Sequence, residues 1–153
     1  MSSYVDKVLQ PGETVVFETE VHWLVYLPAM FFFLLAAAGG VIYVIEPAEK
    51  ILVYGPVGLG LLLGLTNFIN GWFTRWTTEI AVTDRRVIYK RGFIRRFTIE
   101  MNMDKVESID VNQSILGRIF DYGDVLVRGT GPGLEPLRMI QKPLQFRSAV
   151  IAR

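Results

Sequence analysis

The sequence predicts a membrane α+β protein: a two-helix transmembrane hairpin, then a small antiparallel β sandwich or barrel with a C-terminal helix. Three observations predict it. Residues 23–45 and 51–73 are uncharged apolar runs of 23 residues each, and about 34 Å of helix per run is enough to cross a bilayer core. Only the polar stretch Glu46-Pro47-Ala48-Glu49-Lys50 separates them. Beyond Trp76 the texture changes to short runs of alternating or β-branched residues at strand spacing. The chain therefore divides into an N-terminal segment (1–22), the hairpin (23–73) and a β domain (74–153).

Charge is distributed as unevenly as hydropathy. Residues 1–73 hold two Lys/Arg and six Asp/Glu, and residues 74–153 hold fourteen and nine, so a net charge of +1 conceals a basic rear half. A basic half attached to apolar spans favours an anionic membrane surface over nucleic acid. With no cysteine in the chain, disulfides, thiolate metal sites and thiol nucleophiles are excluded.

Each element has its own justification. Pro11-Gly12-Glu13 reads as a turn, and Val15, Phe17, Thr19 and Val21 alternate with Val16, Glu18, Glu20 and His22 as a short strand that needs a partner sheet. The first apolar run follows a long acidic tail instead of a short basic one, unlike a signal peptide. Pro28 sits near its start, where proline is tolerated. The linker makes the spans antiparallel and puts both chain ends on one side. Arg75, Arg85, Arg86, Lys90, Arg91, Arg95 and Arg96 follow the second span, against Lys50 alone in the linker. The positive-inside tendency makes that side cytoplasmic, in a multi-pass protein of the inner membrane. Ala36 with Gly40, and Gly60 with Gly64, have the small-xxx-small spacing that lets helices approach closely. Thr66, Asn67 and Asn70 are expected to snorkel or to bond a neighbouring helix.

In the rear half, Thr77–Thr83 and Arg86–Lys90 read as strands around an Asp84-Arg85 turn, with a second turn at Arg91-Gly92. Phe97, Ile99, Met101 and Met103 alternate with polar residues, the pattern of a half-buried strand. Val106–Val111 gives another strand. Ile115, Leu116, Ile119 and Phe120 recur at helical spacing. Asp124–Gly129 and Pro136–Gln141 are two more strands, and Pro143 opens a helix carrying Leu144, Phe146, Val150 and Ile151.

Several of these segments together resemble a known family, the bacterial membrane-flanked PH-like domain (the second bacterial pleckstrin-homology family). The carriers are Thr83-Asp84-Arg85-Arg86-Val87-Ile88, Met103-Asp104-Lys105-Val106-Glu107-Ser108-Ile109, Gln113-Ser114-Ile115-Leu116-Gly117-Arg118, Tyr122-Gly123-Asp124-Val125, and Pro143 with Phe146-Arg147. The resemblance covers Trp76 to about Ile151. It implies a bent antiparallel sandwich closed by a C-terminal helix and tied to short hydrophobic spans.

Candidate chemistry is sparse. Gly129-x-Gly131-x-Gly133 lacks the lysine and Ser/Thr of a phosphate loop and reads as a hairpin turn. Asp104, Glu107 and Asp110 read as a solvated face, and His22, the only histidine, as an interfacial anchor. Nothing assembles a nucleophile, base and oxyanion donor, so the expectation is a non-enzyme with no cofactor, no metal and no nucleic-acid partner. The candidate lipid-headgroup site is the basic turn Lys90, Arg91, Phe93, Arg95 and Arg96, with Arg85 and Arg86 at the opposite turn. The expected function is a membrane-anchored interaction module binding a protein partner, itself or lipid headgroups. The alternatives are an anionic-lipid sensor and a small accessory subunit of a transporter or membrane enzyme complex.

Overall fold

A computed structural model describes residues 4–45, 50–94, 96–130 and 136–152. The chain forms two compact units, Trp23–Phe73 and a β domain assembled from Met1–His22 and Thr74–Arg153. The polar linker 46–49 and the turn 131–135 lie outside the described residues.

The β domain holds two antiparallel sheets. β1 (Val15–Thr19), β2 (Glu79–Thr83), β3 (Arg86–Arg91) and β4 (Phe97–Asn102) form one in that order, and β5 (Val106–Asn112), β6 (Tyr122–Gly129) and β7 (Leu137–Gln141) the other. β1 finds its partner 60 residues away in sequence, pairing Thr19 with Ile80 and Glu18 with Ala81. Beyond β1 the same segment crosses to the second sheet. The His22 amide donates to the Met139 carbonyl at 2.7 Å and the Gln141 amide to the Glu20 carbonyl at 2.9 Å. Residues 15–22 thus stitch the two sheets along one edge.

Between the sheets lie Ile80, Val82, Val87, Tyr89, Met101, Val125, Val127, Leu137 and Ile140, all buried. A helix (Pro143–Ile151) closes this core with Phe146 and Val150, and its first-turn proline lacks only an N–H that would have no helical partner. The outer face of the first sheet is covered as well. A short helix (Tyr4–Val8) buries Val5 against Ala81 and Ile88. Cover on both faces explains why β2 and β3 read as continuous apolar runs instead of alternating ones.

The other unit is a pair of helices. A 3-10 turn (Trp23–Tyr26) leads into α2 (Leu27–Ile45), and α3 runs from Lys50 to Thr77, with Tyr4–Val8 as α1. The second helix therefore continues four residues past the apolar run, and β2 begins at Glu79 instead of Thr77. Both helices are long and apolar enough to cross a bilayer, over Trp23–Ile42 and Tyr54–Thr77. Their packing follows an antiparallel register. A Cβ on Gly60 would lie 3.2 Å from the Ala36 Cβ, and one on Gly64 2.7 Å from the Phe33 ring. Gly71 faces the ring of Tyr26 in the preceding 3-10 turn, so partner positions fall in number as positions on α3 rise. A Cβ on Gly40 would meet nothing within 4 Å, whereas one on Gly39 would lie 2.8 Å from Val57. Thr66 Oγ1 and Asn67 Nδ2 each donate, at 2.8 Å, to their own helix, at the Leu62 and Leu63 carbonyls. Those polar groups are thus satisfied one turn back, without the neighbouring helix.

Candidate lipid-contact site

The β domain has two distinct ends. The chain departs it after His22 and returns at Thr74, and Arg75 Nη2 meets Glu20 Oε2 at 3.5 Å, so the points of departure and return lie together. β2 runs from that end to the Asp84-Arg85 bend and β3 runs back, which brings the loop 92–96 to the end where the chain departs. Gly92 takes φ +89°, a left-handed conformation that glycine adopts without a Cβ penalty.

This loop presents apolar side chains at its tip. Phe93 is 55% and Ile94 89% exposed, while Arg91 and Arg96 are exposed beside them. The Phe93 ring lies 5.3 Å from the Trp76 indole. Lys90, grouped with these residues by sequence, is engaged elsewhere. It stands opposite Glu79 in the ladder, its Nζ is 2.6 Å from Glu79 Oε1, and it lies 5.2 Å above the Tyr4 ring. Glu79 Oε2 also accepts from the Tyr4 amide at 2.6 Å, so Lys90 helps to fasten α1 to the sheet. Arg95 lies outside the described residues.

At the opposite end the arginines divide. Arg85 is exposed, 3.9 Å from Asp84. Arg86 is the hub of a buried network. Its Nε and Nη2 grip the two Glu13 oxygens at 2.9 and 2.8 Å, Nη1 meets Glu100 at 2.6 Å, and Nη2 donates to the Val8 carbonyl at 2.7 Å. Thr83 Oγ1 donates to Glu13 Oε1 at 2.7 Å and the Gln10 amide to Oε2 at 2.8 Å. Burial pushes the Glu13 carboxyl upward, but hydrogen bonds from Arg86, Gln10 and Thr83 outweigh it and hold the pKa at about 2 against a usual 4.5. The hydrogen bond to Glu13 raises the Arg86 pKa and outweighs the lowering by burial, so the guanidinium stays charged. In the sequence Arg86 reads as one cation of a turn and Glu13 as part of another turn, because their partnership spans 73 residues.

His22 is buried and its ring stacks on Tyr122 at 5.2 Å. Burial and the nearby Arg75 charge depress its pKa, with a hydrogen bond to the Phe120 backbone acting in the opposite direction. Asp110 pairs with Arg128 at 2.9 Å on the surface. Among the described residues no three His, Asp or Glu side chains converge as a metal site would require.

Two antiparallel sheets packed face to face and closed by a C-terminal helix define a PH-like sandwich. A family model described as Bacterial PH domain matches residues 25–151, or 127 of 153, and the chain belongs to that family. The matched region takes in the apolar helices and everything from β2 through the C-terminal helix Pro143–Ile151, and α1 and β1 precede it. No curated protein and no solved structure matches the chain.

Proposed function

We propose that this protein is a membrane-anchored PH-like interaction module, held at the cytoplasmic face of the inner membrane by the 23–73 hairpin, with its β domain available to a protein partner, a second copy or lipid headgroups. The observation that carries this reading is the pairing of β1 with β2. These strands flank the apolar helices in sequence yet share one sheet. Open sheet cannot sit in hydrocarbon, so a chain that enters the bilayer after β1 must return to the same side before β2. The exposure of the helices supports the same reading. Phe31, Leu34, Val44, Leu62 and Ile69 point outward, where a buried helix of a soluble protein would cover them. The cation bias after residue 73 supports the cytoplasmic side.

Thiol labelling in intact cells tests the topology cleanly in a cysteine-free chain. An impermeant reagent should label Ala48→Cys and reach Thr130→Cys only after permeabilisation. The reverse pattern would overturn the orientation, and release of the protein by alkaline carbonate would overturn the anchoring.

Headgroup contact is supported by the loop 92–96, where Arg91 and Arg96 flank an exposed apolar tip. Each basic residue near an anionic leaflet contributes about 1 kcal/mol, fading within a Debye length. A polarity-sensitive dye on Ile94→Cys in proteoliposomes should shift blue with anionic lipid and revert with salt. Arg91→Gln with Arg96→Gln should abolish that shift and Arg85→Gln should leave it. Equal loss from both would identify a general charge effect.

A further inference from the structure

We infer that α4 (Ile115–Ile119) is a second membrane contact of the β domain, an apolar platform that lies in the headgroup–hydrocarbon boundary beside the first crossing point. This inference rests on the anchored reading above and names a surface that the basic loop does not include.

The helix displays large apolar side chains where a soluble surface would carry polar ones. Ile115, Leu116, Ile119 and Phe120 are 79%, 55%, 68% and 45% exposed. Residues spaced this way share one side of a helix. Their outward orientation is fixed by the polar and small residues around them. Ser114 caps the helix by accepting from the Gly117 amide at 3.0 Å. Gln113 Nε2 donates to the Gly117 and Tyr122 carbonyls at 3.3 and 3.1 Å. Gly117 is pressed against the start of β6, where a Cβ would lie 2.6 Å from the Tyr122 carbonyl oxygen. The inward side of α4 is thus clamped to the sheet, and the apolar side is held outward on a rigid mount.

Location identifies the occupant. His22, the last residue before the chain departs for the first apolar helix, stacks on Tyr122 and bonds the Phe120 backbone. The C-terminal end of α4 is therefore tied to a residue adjacent in sequence to Trp23. If residues 23–42 cross a bilayer, the side chains at this end of the domain stand at the membrane surface. Arg118, exposed within the same turn, suits the headgroup layer around an apolar insertion. Lipid is thus the occupant continuous with the spans.

Insertion driven by apolar area differs from the contact of the basic loop in needing no anionic lipid and in surviving salt. The test uses the full chain in vesicles of neutral phosphatidylcholine, with single nitroxide labels at Ile115→Cys, Leu116→Cys and Ile119→Cys. Arg85→Cys serves as a water-exposed reference and Leu62→Cys as a reference within α3. Collision with oxygen is compared with collision with a water-soluble nickel chelate. The α4 labels should show an oxygen-to-nickel ratio several-fold above position 85, unchanged by high salt. Water-like ratios on α4 with Leu62 still deep would overturn this inference and leave the anchor standing. A water-like ratio at Leu62 would overturn the anchor itself. Protection of the α4 labels from both probes would mean that protein covers the platform, and would overturn lipid as its occupant.

Discussion

Substituting Glu13→Gln should open the β domain at its N-terminal edge. The carboxylate is fully buried, accepts from Arg86 through two nitrogens, and takes further bonds from Thr83 and the Gln10 amide. An amide keeps the shape but removes the charge that compensates Arg86, whose side chain is 11% exposed. Leaving one partner of a buried pair costs about 3–5 kcal/mol, moderated here because Arg86 retains Glu100 and the Val8 carbonyl. The depressed pKa points the same way, because the hydrogen bonds to Glu13 favour its charged form. That contribution has a definite pH dependence. A depressed carboxyl stabilises fully above its unfolded pKa near 4.5 and loses that effect as pH falls through about 2. The assay is hydrogen exchange of the full chain in mild detergent, followed in peptides from β1 and β2. At pH 7 the variant should exchange roughly 100-fold faster there, the ratio equivalent to about 3 kcal/mol. The gap should narrow between pH 4.5 and 2. Equal protection at pH 7, or a gap that persists at pH 2, would refute the reasoning.

Replacing Gly60 and Gly64 together with leucine should separate the two apolar helices and cost about 1–3 kcal/mol of stability in detergent, read by thermal unfolding. The control is Gly40→Leu, which meets open space and should change little. Lys90→Ala should loosen α1, raising exchange in residues 4–8, while leaving the lipid response of the loop intact, because its partners are Glu79 and Tyr4. A loss of lipid response equal to that of the Arg91 and Arg96 changes would return Lys90 to the headgroup site.

What could be read from the sequence depended on how local the deciding contact is. The two apolar helices were legible because an uncharged run of that length has few alternatives. β4 was legible because one of its faces is wet. The phase of the α2 contact was not, since residues 36–40 are all small and the choice of Gly39 over Gly40 rests on where Val57 falls. α1 was hidden because five residues in a polar tail carry little periodicity, and its anchors Glu79 and Ala81 lie far along the chain. Lys90 looked like a surface cation until the ladder put it opposite Glu79. The helical spacing of α4 was plain in the sequence, but the direction of its apolar side is set by Gly117 and Gln113 against Tyr122, which only the fold brings together.

The insertion of two apolar helices between β1 and β2 has a consequence for how the domain can be taken apart. A fragment from Thr77 onward contains the basic loop, α4 and most of the core, yet it leaves the β2 edge without β1 and Arg86 without Glu13. An open edge with a partly buried cation favours aggregation over a folded monomer. The points where the chain leaves and re-enters the β domain meet through Glu20 and Arg75, so a short flexible linker can replace residues 23–73 without straining the sheet. The joined domain, residues 1–22 linked to 74–153, should therefore fold cooperatively in water, with β1 amides as protected as those of β2. The fragment 77–153 should show faster exchange throughout the first sheet. If that fragment alone gave the same protection in β2 and β3, the N-terminal strand would be an accessory to the sandwich, and the pairing that argues for two crossings would lose its force.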